Sequence, residues 1–157
     1  MTSKLNNSLF DKSMMKVAIE QAYLALEVGE VPVGAVLVYD QKIISKSYNK
    51  TIVNVDSTSH AEINVIREAE RLTNNYRLNN CTLYVTLEPC IMCLGAIINS
   101  RISRVVFGAY DSKLFHKVDY SFLKQERKLN HQIELVGGIM ETDCSNILKD
   151  FFQIRRN

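Results

Sequence analysis

The sequence predicts an α/β fold in which helices cover a mixed β-sheet. Three features predict it: two β-branched runs joined by a two-residue turn, helical periodicities alternating with short apolar runs, and an amphipathic closing segment. Met14, Met15, Val17, Ala18, Ala22, Leu24, Ala25 and Val28 recur at helical spacing behind Ser13, a residue type suited to an N-cap, and Gly29 supplies a stop. Residues 33–39 and 42–48 flank Asp40-Gln41 and read as a hairpin, hence an antiparallel pair. After a loop over 49–59, helical periodicity runs from His60 to about Leu72, with Thr58 or Ser59 placed to cap it. Residues 81–87 form a strand. Pro89 then opens a third helix, where its missing N–H costs nothing. Residues 104–108 and 132–136 read as strands, 110–130 shows no clean period, and 142–156 closes the chain as an amphipathic helix. The predicted order is α-β-β-α-β-α-β-β-α.

Length and composition suit one domain over residues 1–157: 46% hydrophobic and 23% charged residues are ordinary for a globular chain. No apolar run is long enough to span a bilayer, and residues 1–11 lack the apolar core of a secretory signal, so a cytoplasmic protein without a membrane partner is expected. In a reducing compartment the four cysteines are thiols or metal ligands rather than disulfides. A net charge of +2 is too small to coat nucleic acid by charge alone, so any such binding needs a local patch.

His60-Ala61-Glu62 and Pro89-Cys90-Ile91-Met92-Cys93 carry the chemistry. Each group begins a helix, where the partial positive charge favours thiolate over thiol. The i,i+3 spacing of Cys90 and Cys93 puts both sulfurs on one side of a first turn. One His and two Cys supply three zinc ligands and leave a fourth position for water, the arrangement of a catalytic site. H-x-E followed by P-C-x-x-C is the pattern described for zinc nucleobase deaminases, in which the Glu is the general acid and base rather than a ligand. Zinc lowers the pKa of its water from 15.7 to about 7, and Glu62 would carry the proton. Two other readings stand beside this one. A closed structural zinc would need a fourth ligand from Cys81, Cys144, His116 or His131, and Glu62 could itself be a ligand.

On these residues the chain resembles the cytidine-deaminase-like superfamily, and within it the bacterial tRNA-specific adenosine deaminases. The resemblance extends to Gly29-Glu30-Val31-Pro32-Val33-Gly34-Ala35-Val36, Tyr76-Arg77-Leu78, the tract over residues 82–90, Ser100-Arg101-Ile102, Val105-Val106-Phe107-Gly108-Ala109 and Asp150-Phe151-Phe152. It implies a three-layer α/β/α sandwich and one Zn²⁺ per subunit of a homodimer. The reaction it implies converts adenosine to inosine at the wobble position of a tRNA anticodon stem-loop. For the substrate it implies that Asn49 bonds the base, Ala61 offers a backbone N–H, and the Glu88 carbonyl, with Pro89 beside it, accepts from the exocyclic amine. Asp111 and Lys113 would meet the nucleotide backbone, and Phe152 with Arg155 and Arg156 would face RNA. Residue chemistry alone also allows Asn49 as a turn residue, Asp111 as a cap, Phe152 as core packing and the two arginines as helix C-terminal charges. Where the family carries a Gly, Ala and Ser-rich loop, residues 114–121 are bulky. A deaminase of a free base or nucleoside of guanine or cytosine type is the nearest alternative function, and a non-catalytic zinc-containing RNA-binding module the next.

Overall fold

Burial on both faces selects which strands lie centrally. In a computed structural model, which describes residues 2–112 and 131–156, β1 (Gly34–Tyr39) pairs antiparallel with β2 (Lys42–Tyr48) through the expected hairpin. Asp40 and Gln41 both take positive φ, 46° and 60°, as a two-residue turn requires if it is to follow the twist of its strands. On its other side β1 pairs antiparallel with β3 (Cys81–Leu87). β3 runs parallel to β4 (Arg104–Ala109), and β4 parallel to β5 (Glu134–Val136). The sheet order is β2-β1-β3-β4-β5, mixed as predicted.

Strand alternation sorts the apolar residues into two cores. Ala35, Leu37, Leu83, Val85 and Val105 share one with Val65 and Ile66 of α2 (Ala61–Thr73) and Ile97 of α3 (Ile91–Asn99). Val36, Val38, Tyr84 and Val106 face the other, with Met15 and Ala18 of α1 (Thr2–Glu27) and Cys144 of α4 (Glu141–Arg156). Two helical layers around one sheet make the three-layer α/β/α sandwich. Gly34 is required by the α1 layer: a Cβ there would collide with the Ala18 carbonyl oxygen. Among the described residues no helix is long and apolar enough to cross a membrane.

Three local expectations are corrected. Ser13 lies inside α1 rather than at its start, and its hydroxyl donates to the Phe10 carbonyl at 2.7 Å instead of capping. Neither Thr58 nor Ser59 caps α2, whose N-cap is His60. Pro89 lies just outside α3, whose N-cap is Cys90. At α1 a tertiary partner overrides local propensity. The partner is on the sheet: buried Asp11 accepts from both Arg104 guanidinium nitrogens, at 2.7 and 2.8 Å, and from the Tyr84 hydroxyl at 2.9 Å.

Burial acts to raise the Asp11 pKa, but the hydrogen bonds from Arg104 and Tyr84 outweigh it and hold the carboxyl below its ordinary 3.8. A carboxyl with a lowered folded pKa stabilises fully above its unfolded pKa and loses that contribution as pH falls through the folded value. Asp11→Ala should therefore cost about 3 kcal/mol at pH 7, the low end for a buried pair because Arg104 stays partly exposed. Urea unfolding repeated near pH 3 should show a smaller difference from wild type; an equal difference at both pH values would contradict the pairing.

Candidate metal centre and cavity

α2 and α3 pack in the same layer, and their N-termini converge. His60 and Cys90 are the two N-cap residues; both are extended, at φ −68° and −72°, and neither side chain caps its helix. Their side chains are thus available to each other. The loop before α2 is pinned by its own hydrogen bonds: Asn64 Nδ2 donates to the Tyr48 and Ser59 carbonyls at 3.0 and 3.1 Å, and the Ser59 hydroxyl donates to Asn64 Oδ1 at 2.9 Å. His60 Nδ1 lies 3.7 Å from Cys90 Sγ and 3.5 Å from Cys93 Sγ. A tetrahedral ion bound at about 2.3 Å to sulfur and about 2.0–2.1 Å to nitrogen sets that edge at about 3.6 Å. The three donors fit a metal of this size, and among the described residues they are the group able to hold one.

Glu62, on the first turn of α2, is buried yet stands outside the donor group. Burial pushes its carboxyl up to about 7, against its own backbone hydrogen bond and the nearby His60. The Cys93 hydrogen bond draws the Cys90 thiol down, while Cys90 and burial push Cys93 up. The hydrogen bond with Cys90 raises His60 against its burial. Burial alone pushes the Cys81 thiol up to about 11 and is the main cause for Cys144, up to about 12. Those two thiols stay protonated and away from the centre.

A cavity of about 780 Å³ opens over His60, Glu62 and Cys90. Val31, Val33 and Leu87 give it an apolar wall, and Asn49, Ala61 and Glu88 also line it. Asp111 lies near the rim, its backbone N–H donating to Glu88 Oε2 at 2.9 Å. Phe152 and Arg156 reach the mouth from α4, while Phe151, one residue earlier, is buried in the fold. Other expected residues lie elsewhere. Cys93 is buried behind the cavity and Pro89 is buried beside it. Arg155 donates to the Gly29 carbonyl at 2.9 Å and stacks on Phe151 at 4.6 Å. Lys113 and the loop over 114–121 lie outside the described residues. Lys149 and Gln153 also line the mouth and were not anticipated; the i,i+3 and i,i+4 rows through Phe152 and Arg156 on the last helix would have found them. Thr51 and Tyr110 line it from loops, where no periodicity points to them.

A family model described as MafB19-like deaminase matches residues 10–156. The chain is 49% identical over 156 residues to a tRNA-specific adenosine deaminase of Haemophilus influenzae, covering 95% of this chain and 87% of that one. It is 46% identical over 143 residues to the tRNA-specific adenosine deaminase of Bacillus subtilis, covering 91% and 94% respectively. A solved structure from a study of A-to-I editing by tRNA:A34 deaminases at the wobble position superposes with a TM-score of 0.79 at 40% identity, covering 87% of this chain and 99% of that one.

The donor geometry predicts metal content. Cys90→Ser and Cys93→Ser should each lower bound metal well below one ion per chain, because a hydroxyl does not replace a soft thiolate. Cys81→Ser and Cys144→Ser should retain it. Elemental analysis of the four purified variants checks this, and full metal in either of the first two would mean a different ligand set.

Proposed function

The chain belongs to the tRNA-specific adenosine deaminase family, within the MafB19-like deaminases, and from that premise we propose that it hydrolyses the wobble adenosine of a tRNA anticodon to inosine, releasing ammonia. One observation carries the reading: three donors spaced for a tetrahedral ion, two of them lining a cavity that the buried Glu62 also lines. His60, Cys90 and Cys93 would hold one Zn²⁺ per subunit, which when bound supplies Lewis-acid activation of a water near neutral pH. Glu62 takes one proton of the attacking water and delivers it to N1 of the purine as C6 is attacked; it then takes the proton of the new C6 hydroxyl and gives it to the amine, so that the C6–N bond breaks, ammonia leaves and the C6 carbonyl of inosine forms. A buried carboxyl beside the metal donors suits both halves of that shuttle.

The substrate contacts belong to the same proposal. Ala61 occupies the first position of α2, where a backbone N–H has no intrahelical acceptor and is free for the base. Asn49 and the Glu88 carbonyl hold the edges of the base, with Pro89 fixing the turn that presents that carbonyl. Val31, Val33 and Leu87 keep the pocket dry. Asp111, Phe152 and Arg156 meet the flanking nucleotides; Lys113 and Arg155 complete the RNA-facing set, Arg155 by leaving its Gly29 contact. Deaminases need the base extruded, and an anticodon loop provides that at little unstacking cost. One deaminase domain, a homodimer and a cytoplasmic location complete the reading.

The test is inosine formation in an anticodon stem-loop with a wobble adenosine, run beside free adenosine, cytidine and guanine at fixed salt. The stem-loop should be converted far faster than any free compound. Glu62→Gln should keep its zinc and lose about 10²–10⁴-fold in kcat. Preference for a free base would overturn the tRNA assignment, and a fully active, zinc-loaded Glu62→Gln enzyme would overturn the proton shuttle.

A further inference from the structure

Glu30 is fully buried, and the reaction as derived does not use it. It follows the αL turn at Gly29 that ends α1, and its backbone N–H donates to the Ala25 carbonyl at 3.0 Å. The carboxylate accepts four hydrogen bonds, all from the five residues 49–53 that follow β2. Oε1 accepts from the Ile52 and Val53 backbone N–H groups, both at 2.7 Å. Oε2 accepts from the Thr51 hydroxyl at 3.2 Å and from Asn49 Nδ2 at 3.3 Å. Asn49 Nδ2 also lies 3.4 Å from the Val31 carbonyl. Anchoring that loop would account for the two backbone bonds. It does not account for the other two, which go to side chains that both line the cavity.

The Asn49 amide has a donor end and an acceptor end of nearly equal shape. Glu30 Oε2 and the Val31 carbonyl are both acceptors, so only the NH₂ end can face them. With Glu30 replaced by glutamine, an amide NH₂ can oppose the Asn49 NH₂, and the cheapest relief is for Asn49 to turn over. We infer that Glu30 is a positioning residue that fixes which end of the Asn49 amide faces the acid, and so which end is left for substrate, while holding Thr51 against the cavity wall. This rests on the functional reading for the role of Asn49, but not for the orientation of its amide.

Two readouts separate those levels. In ¹⁵N-labelled protein the Asn49 side-chain NH₂ resonances should move and lose protection from exchange in Glu30→Gln; unchanged resonances would overturn the inference whatever the substrate. On the wobble-adenosine stem-loop, Glu30→Gln should lower kcat/KM by about 10²-fold, chiefly in kcat. Zinc content and Tm should stay near wild type. In an Asn49→Ala background the same substitution should cost less than about threefold, because its effect passes through Asn49. Equal cost in both backgrounds would mean that Glu30 acts only on the fold of the loop, and would overturn the inference. If the unmodified chain fails to convert the stem-loop, the functional reading falls and the resonance measurement decides the role of Glu30. Should Glu30→Gln not fold, Glu30→Asp, which keeps the charge but withdraws the carboxylate by one methylene, is read in the same two ways.

Discussion

Two helices must begin at the same point in space for this molecule to have a site. Three donors around one tetrahedral ion tolerate only a few tenths of an ångström in their mutual spacing, and His60 Nδ1 meets that requirement at 3.5 and 3.7 Å from the two sulfurs. The tolerance is met by rigid packing rather than by the donors themselves. Val65 and Ile66 of α2 and Ile97 of α3 share one core with Leu83 and Val85 of the central strand β3. Only residues 88–90 separate β3 from α3, and one of them is proline, so the Cys90 end of the centre follows the strand closely. The His60 end is tied to β2 through Asn64 and the Tyr48 carbonyl.

The same convergence produces the electrostatics. Helix N-termini favour thiolates, and burial works in the opposite direction. Cys90 is drawn down and Cys93 pushed up chiefly by the hydrogen bond between them, whereas burial is the main influence on Cys81 and Cys144 and raises both. Glu62 sits two residues after His60 on the first turn of α2, lining the same cavity and outside the group that could hold the ion. Opposite it, α4 and the segment after β2 supply the cavity's mouth and far wall, so the site draws on both helical layers.

The element order and the antiparallel hairpin were legible because turn chemistry and apolar periodicity are local signals. The two sulfurs could be placed together because the N-cap and N3 positions of one helix are three residues apart, and His60, 30 residues before Cys90, entered through the H-x-E pattern. The features not legible in the sequence depend on contacts, some far along the chain and some only a few residues away. Nothing around Ser13 signals that the helix continues back to Thr2; the reason is Asp11, paired with residues 73 and 93 positions away. Caps were assigned to Thr58 or Ser59 by residue type, but Ser59 is occupied with Asn64 and the cap position falls to His60. Arg155 and Arg156 are alike as sequence, yet one is bonded to Gly29 and the other lines the cavity, a distinction that depends on helix phase. Glu30 lay within a tract marked by resemblance, but its four partners come from a segment about twenty residues on.

The chemistry proposed for this chain depends on an open three-ligand metal centre built from His60, Cys90 and Cys93. Zinc K-edge X-ray absorption on the purified protein tests it most directly. The spectrum should show two sulfurs at about 2.3 Å and two nitrogen or oxygen neighbours at about 2.0–2.1 Å, one from His60 and one from solvent. A third sulfur, a shell with no exchangeable neighbour, or the absence of zinc from protein prepared without chelators would contradict it.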